Sequence, residues 1–286
     1  MHGLPDAGAS VAGFRLIRRL GQGTQSLVFL AEQSASGRQV ALKLAHLGAL
    51  EDRGAAKQAF LQAANTARRL VHPDIVTVLD AGIEGTTAWL AMEAVPGGDM
   101  GLHTRAPHLL PPARVMAVAH RVAGALSHAH RQGVVHRDLK AGNVLVDEAG
   151  DIVKLADFGL ARTAGAGQTG TGIVLGTPAC MAPEQLAGAL PTAATDLYAL
   201  GVLLFELLSG RLPHEARTMG ELLRQVAQEP APALDTLRPG LALGLSLLVA
   251  QLLAKTPAGR PADAAAVAAE LQRLSGRPGN DGAKSR

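Results

Sequence analysis

Only one cysteine, Cys180, occurs in the chain, so no internal disulfide can form and nothing in the sequence calls for an oxidising compartment. Aromatic residues are scarce too, 2% of 286 residues, and without rings on which bases could stack no nucleic-acid partner is expected despite a formal net charge of +3. Residues 1–13 lack a charged segment leading into an apolar run, which excludes a secretory leader there. The longest apolar stretch, Leu241 to Ala254, is interrupted by Ser246 and Gln251. It falls short of the roughly 20 apolar residues that a bilayer requires and reads as a core helix. The expectation from these absences is a cytoplasmic chain with no membrane segment. What is present is a hydrophobic share of 48%, ample for a sizeable core in one large domain or two lobes.

From Phe14 to about Leu90, short runs rich in Val, Leu and Phe alternate with Gly and polar breaks, which predicts a small sheet-rich lobe. One helix is expected within it, over Ala55 to Leu70. That stretch has no Gly or Pro, spaces Phe60, Ala64, Ala67 and Leu70 along one face, and is followed by Pro73 as a stop. Met92 to Asp99 contains Pro96-Gly97-Gly98 and reads as a linker. Beyond it, Val115 to Arg131, Asp196 to Ser209, Leu241 to Ala254 and Pro261 to Leu274 all have helical length and apolar spacing. The expected fold class is therefore α+β. Residues 1–13 read as a flexible segment, about 14–92 as the sheet lobe with its one main helix, about 93–99 as a hinge, about 100–274 as a larger helical lobe, and 275–286 as a flexible tail.

The chemistry lies in His136-Arg137-Asp138-Leu139-Lys140-Ala141-Gly142-Asn143, followed 14 residues later by Asp157-Phe158-Gly159. These segments read H-R-D-L-x-x-x-N and D-F-G, a spacing that puts one base and two metal-binding groups around a single phosphate. In that chemistry Asp138 accepts the proton of an attacking hydroxyl, and Asn143 and Asp157 hold the Mg2+ ions that neutralise the transferred phosphoryl group. Either segment alone reads equally as a surface loop or a turn. Upstream, Leu20-Gly21-Gln22-Gly23-Thr24-Gln25-Ser26-Leu27-Val28 is close to G-x-G-x-x-G-x-V, with Ser26 in place of the third glycine. Glycines let backbone approach phosphate oxygens, and a position between two expected strands, not before a helix, disfavours a dinucleotide fold. Val40-Ala41-Leu42-Lys43 then supplies a strand lysine suited to phosphate, whose plain alternative is a solvated surface lysine.

On these residues the chain resembles a bacterial member of the eukaryotic-like (Hanks-type) serine/threonine protein kinase family, over roughly Phe14 to Leu274. The resemblance implies a bilobal kinase-like fold that uses ATP and Mg2+ to phosphorylate Ser or Thr hydroxyls of protein substrates. It implies that Leu20, Gly21, Gly23 and Val28 cover the nucleotide, that Ala41 lines the adenine pocket, and that Lys43 contacts the α and β phosphates. Met92 becomes the gatekeeper before a hinge of Glu93, Ala94 and Val95, whose backbone binds the adenine edge. Lys140, two residues after Asp138, matches the Ser/Thr branch, and Thr177 would hydrogen-bond both. Glu184, in Ala182-Pro183-Glu184, would pair with Arg260. Asp196 would brace the catalytic loop, although an acid at a helix start also reads as a simple cap. Arg137 would receive a phosphate carried by Thr169 or Thr171, threonines that otherwise read as part of a solvated loop. Self-association for trans-autophosphorylation belongs to the same picture. Cys180 reads as a small packing residue with no basic neighbour to lower its pKa.

The family pattern also breaks. Ala63 stands where the lobe helix should present a glutamate to Lys43, and no acid lies between Asp52 and Asp74. Lys43 is therefore expected to lack its usual ion pair, with Glu51 and Asp52 as poorly placed substitutes ahead of the helix. Ala141 replaces a frequent proline. These departures keep two other readings open, an ATP-binding pseudokinase or scaffold and a kinase-like small-molecule phosphotransferase. The latter normally lacks the A-P-E segment, and Asp138, Asn143 and Asp157 are residues that a decayed site has no reason to keep. On the same reading, Ala63→Glu should raise activity.

Overall fold

The computed structural model describes residues 5–23, 26–47, 53–147, 149, 151–158 and 178–276. These form two compact units, one built from the chain up to Gly98 together with residues 145–158, the other from Asp99–Val144 together with residues 178–276.

The first unit carries an antiparallel sheet of β1 (Ser10–Val11), β2 (Phe14–Gln22), β3 (Ser26–Gln33), β4 (Gln39–His46), β5 (Val78–Glu84) and β6 (Thr87–Glu93), in the order β1-β2-β3-β4-β6-β5. Strand alternation divides its side chains between two cores. Val40, Leu42 and Leu44 of β4 are buried with Phe14, Leu16 and Phe29. On the opposite face Ala41 packs with Leu90 and Met92 against α1 (Arg53–Arg68), which contributes Phe60, Ala64 and Ala67. Full burial of such a Leu or Met side chain is worth about 1.5–3 kcal/mol, so this apolar stripe holds the helix on the sheet. The helix begins two residues before the expected Ala55, and Leu70 is buried just beyond its end.

The two-residue strand β7 (Gly98–Asp99) is followed, after the chain has run through helices, by β8 (Val144–Val146) and β9 (Val153–Leu155). Residues 145–158 fall within the stretch that the sequence assigns to the helical lobe, yet they belong to the first unit. The physical reason is packing: Leu145 and Ala156 lie against the same core as α1. Gly97 has φ +95°, and a Cβ there would lie 2.2 Å from the Val146 carbonyl oxygen, so both backbone conformation and space demand glycine.

The second unit is helical: α2 (Pro112–Arg131), α3 (Pro183–Leu186), α4 (Ala193–Ser209), α5 (Met219–Gln228), α6 (Leu234–Leu237), α7 (Leu243–Leu252) and α8 (Ala264–Ser275). Helix α4 is buried nearly all round, as its mostly apolar sequence requires. It meets α7 at Gly201, where an added Cβ would lie 2.8 Å from Leu252 Cβ. It ends at Gly210, whose left-handed backbone (φ +78°) lets its N–H reach the Glu206 carbonyl. Helix α8 starts at Ala264, later than the expected Pro261, because Asp263 caps it by accepting from the Ala266 N–H at 2.8 Å. Among the described residues no helix is long and apolar enough to cross a membrane. A sheet-rich unit with one main helix and a helical unit together make the α+β architecture expected from the sequence.

Candidate active site

In the second unit, the chain leaves α2 and enters the loop that carries Asp138. His136 is fully buried and Leu139 nearly so, which pins the loop to the core on both sides of Asp138. Asp138 accepts from Lys140 Nζ at 2.8 Å through Oδ2, and Asn143 Nδ2 donates to the Asp138 carbonyl at 2.7 Å and to its Oδ2 at 3.1 Å. A carboxylate, an ammonium and an amide are thus gathered within six residues of sequence. Arg137 has φ +74°, a conformation that costs an ordinary L residue on the order of 1–3 kcal/mol unless its surroundings hold it.

What holds it is Asp196. This residue lies in the first turn of α4, 1% exposed, and accepts from the Arg137 N–H at 2.9 Å and the His136 N–H at 2.8 Å. His130 Nε2 lies 2.7 Å from the same carboxylate. The reading of Asp196 as a simple cap is overturned, since Thr192 is the N-cap of α4 and the Asp196 carboxylate is spent on the backbone of the loop that carries Asp138. His130 went unnoticed in the sequence, where it is one of several histidines on an amphipathic helix.

In the first unit, the register Val28↔Lys43, Lys43↔Leu90 and Ala41↔Met92 sets Val28, Ala41, Lys43 and Met92 on one face of the sheet. Gly21 pairs with Val28, Gly23 donates its N–H to the Ser26 carbonyl at 2.8 Å, and Leu20 is 44% exposed. Helix α1 offers Lys43 no acid, as Ala63 led one to expect, but Lys43 Nζ lies 2.7 Å from a different carboxylate, Asp157 Oδ2. Asp157, like Arg137, sits in left-handed backbone, at φ +66°. Met92 is buried, and Val95 packs on the same core as α1. The Glu93 side chain pairs with Lys154 Nζ, at 2.6 Å. Lys154 was also missed, because a lone lysine on a short strand reads as solvated.

Glu184 and Arg260 meet through both carboxylate oxygens, at 2.6 and 2.7 Å. Cys180 is half-buried, and burial, reinforced by the charges of Glu206 and Asp138, pushes its thiol up to about 12. Lys140 pulls the other way, so the expectation of no basic neighbour was wrong, but burial outweighs it and favours the protonated thiol. Thr169, Thr171 and Thr177 lie outside the described residues, as do Thr24 and Gln25 of the Gly-rich loop.

The donors suit Mg2+. Asn143 makes its bonds to Asp138 with Nδ2, leaving the amide oxygen as the face for a cation, and Asp157 offers carboxylate oxygens. Among the described residues no group of three or more His, Cys, Asp or Glu could hold a metal ion alone.

Serine/threonine-protein kinase pkn2 of Myxococcus xanthus is 36% identical over 268 residues, covering 91% of this chain and 32% of the relative. Serine/threonine-protein kinase PknK of Mycobacterium tuberculosis (strain H37Rv) is 35% identical over 273 residues, 94% of this chain and 24% of the relative. Serine/threonine-protein kinase PrkC of Bacillus subtilis (strain 168) is 32% identical over 252 residues, 87% of this chain and 39% of the relative. The chain thus spans about a quarter to two-fifths of the length of these relatives. A family model described as protein kinase domain matches residues 14–271, and the chain belongs to that family.

Proposed function

We propose that this chain is a serine/threonine protein kinase that transfers the γ-phosphoryl group of ATP, with Mg2+, to Ser or Thr hydroxyls of proteins. The observation that carries the reading is the pairing of Asp138 with Lys140 at 2.8 Å, beside Asn143, on a loop locked by Asp196. In the step proposed, the substrate hydroxyl oxygen bonds to the γ-phosphorus, the bond from that phosphorus to ADP breaks, and Asp138 takes the hydroxyl proton. Lys140 steadies the γ-phosphate, Lys43 holds the α and β phosphates, and Asn143 and Asp157 are the residues that would hold Mg2+. The ion supplies neutralisation of charge on the phosphate oxygens. The Ser/Thr acceptor class is supported by Lys140 and by the names of the relatives.

The Lys43–Asp157 pair weighs against a pseudokinase, since it gives Lys43 a carboxylate that Ala63 cannot provide. Regulation follows from Arg137: a phosphate on Thr169 or Thr171, placed by a second copy of the chain, would add charge and acceptor oxygens for a guanidinium to receive. Mass spectrometry with Thr169→Ala/Thr171→Ala tests that part, and unaltered activity would remove it. The transfer itself is tested by incubating wild type and Asp138→Asn with γ-labelled ATP, Mg2+ and a protein acceptor. Labelling should require Asp138, and equal labelling by both chains would sink the enzyme reading.

A further inference from the structure

We propose that Lys154 and Glu93 are positioning residues for the Lys43–Asp157 pair, taking over in this chain a task that an acid on α1 cannot perform. The proposal rests on the kinase reading above and concerns how its phosphate and metal groups are set. Where α1 meets the sheet it offers Phe60, Ala63, Ala64 and Ala67, so the helix can pack behind Lys43 but cannot bind it through charge. The geometry of the pair must then come from the strands that bear its members.

Two lines of bonds run from β6 to the two partners. The first passes through backbone pairing of β6 with β4, where Leu90 stands opposite Lys43. The second starts at Glu93, the last residue of β6. Its Oε1 accepts from Lys154 Nζ at 2.6 Å and from the Thr77 N–H at 2.7 Å, while its own N–H donates to the Thr77 carbonyl at 3.0 Å. Lys154 lies on β9, three residues before Asp157. The strand is fixed further by Leu155, whose N–H donates to the Asp74 carbonyl at 2.8 Å and whose carbonyl accepts from the Val76 N–H at 3.0 Å.

A single carboxylate therefore couples β6, the segment leading into β5 and β9. With side-chain exposures of 18% for Lys154 and 25% for Glu93, the pair is shielded more than a surface ion pair, and charge-assisted bonds of this length are the strong kind. The position of Asp157 makes the anchorage consequential. A residue held at φ +66° keeps that conformation only while its flanks are fixed, and the flank on its N-terminal side is β9. Releasing Lys154 lets β9 shift relative to β6 and so relative to Lys43.

The experiment uses the whole chain and reads binding, not turnover. ADP is titrated calorimetrically into wild type, Lys154→Met, Lys154→Arg and Glu93→Gln, each with and without Mg2+. Hydrogen exchange is followed at the Leu155 amide. Lys154→Met should lose about tenfold of the affinity gained on adding Mg2+, as loss of an outer partner of a metal ligand does, with faster exchange at Leu155. Its binding without Mg2+ should change far less. Lys154→Arg should recover most of the loss, and Glu93→Gln, which keeps an oxygen for the Thr77 N–H but not the charge, should share part of it and carries the test if Lys154→Met fails to fold. A folded Lys154→Met or Glu93→Gln with the full Mg2+-dependent gain, or a Lys154→Arg as impaired as Lys154→Met, would overturn the proposal. Failure of wild type to bind ADP at all would overturn the kinase reading itself, and this inference with it.

Discussion

Arg260, with none of its side chain exposed, grips both oxygens of Glu184, at 2.6 and 2.7 Å. Its Nε donates to the Ala254 carbonyl, one terminal nitrogen also reaches the Ala194 carbonyl, and its guanidinium carbon lies 5.1 Å from the centre of the Tyr198 ring. A buried cation so fully partnered is safe only as a set. Removing the charge of Glu184 leaves Arg260 uncompensated, and breaking a buried pair in this way typically costs about 3–5 kcal/mol. Glu184→Gln, which keeps one acceptor, should sit near the lower end, about 3 kcal/mol by urea unfolding with an unchanged m-value. Burial raises the Glu184 carboxyl, but the hydrogen bonds and charge of Arg260 lower it further, to a net value below the usual carboxylate range. Its contribution is thus present above the ordinary carboxylate pKa and lost as pH falls through the lowered one, an acid-side loss that Glu184→Gln should lack.

Asp196 converts a helix into a brace for the loop that carries Asp138. Its two oxygens accept from His136, Arg137 and His130, and an asparagine can accept through one oxygen only. Asp196→Asn should therefore free the left-handed backbone at Arg137 and let Asp138 move. Displacement of a reacting group by about 1 Å can cost on the order of a hundredfold in rate. The expectation is a kcat lower by about that factor. The affinity for ADP without Mg2+ should be unchanged, because Lys43, proposed to hold its phosphates, lies in the other unit. Steady-state kinetics with calorimetry separates the two, and an equal fall in both would show general unfolding.

The contrast between Asp138 and Lys154 explains what the sequence could disclose. Asp138, Lys140 and Asn143 meet within six residues, so their chemistry is written contiguously and survives being read as text. Lys154 and Glu93 are 61 residues apart and His130 and Asp196 are 66 apart, and nothing local in V-K-L or H-A-H says which carboxylate each will find. The same limit hid the membership of residues 145–158 in the first unit, which is decided by where Leu145 and Ala156 pack. Helix α5 is a different case. Thr218 accepts from the Glu221 N–H at 3.2 Å, a T-x-x-E start that was present in the sequence, but Gly220 in its first turn and a largely exposed surface weakened the apolar signal.

His214 gives the second unit a pH dependence of its own. The residue is 4% exposed, and its Nε2 lies 2.9 Å from Lys255 Nζ, which also donates to the Val226 carbonyl at 2.7 Å. Burial first, then the charge of Lys255, lower its pKa from 6.5 to about 4. As pH falls through this window the unfolded chain takes up a proton that the folded chain refuses, so stability declines from pH 6.5 to about 4 and the loss is complete below. His214→Gln keeps an acceptor for Lys255 without the titration. Unfolding free energies at pH 7 and pH 5 should therefore fall less for His214→Gln than for wild type, and parallel falls would exclude His214 as a source.

Ala63 is the position where the structure changes an expectation about activity. From the sequence, an acid there should raise the rate by giving Lys43 a partner. Lys43 already has one, with Nζ 2.7 Å from Asp157, and Ala63 is half-buried against the core of Phe60, Val76, Leu90 and Met92. A glutamate at 63 must either bury its charge among these side chains or draw Lys43 away from Asp157. Placing a polar group there without full compensation costs about 1–3 kcal/mol, which urea unfolding would register. Sharing Lys43 between two carboxylates would in turn loosen the group proposed to hold phosphate. Ala63→Glu is therefore expected to be less stable than wild type and no faster in initial-rate phosphoryl transfer at saturating ATP. A rate above wild type would mean that Asp157 alone leaves Lys43 under-restrained, and that the strand anchorage through Lys154 does not replace a helix acid.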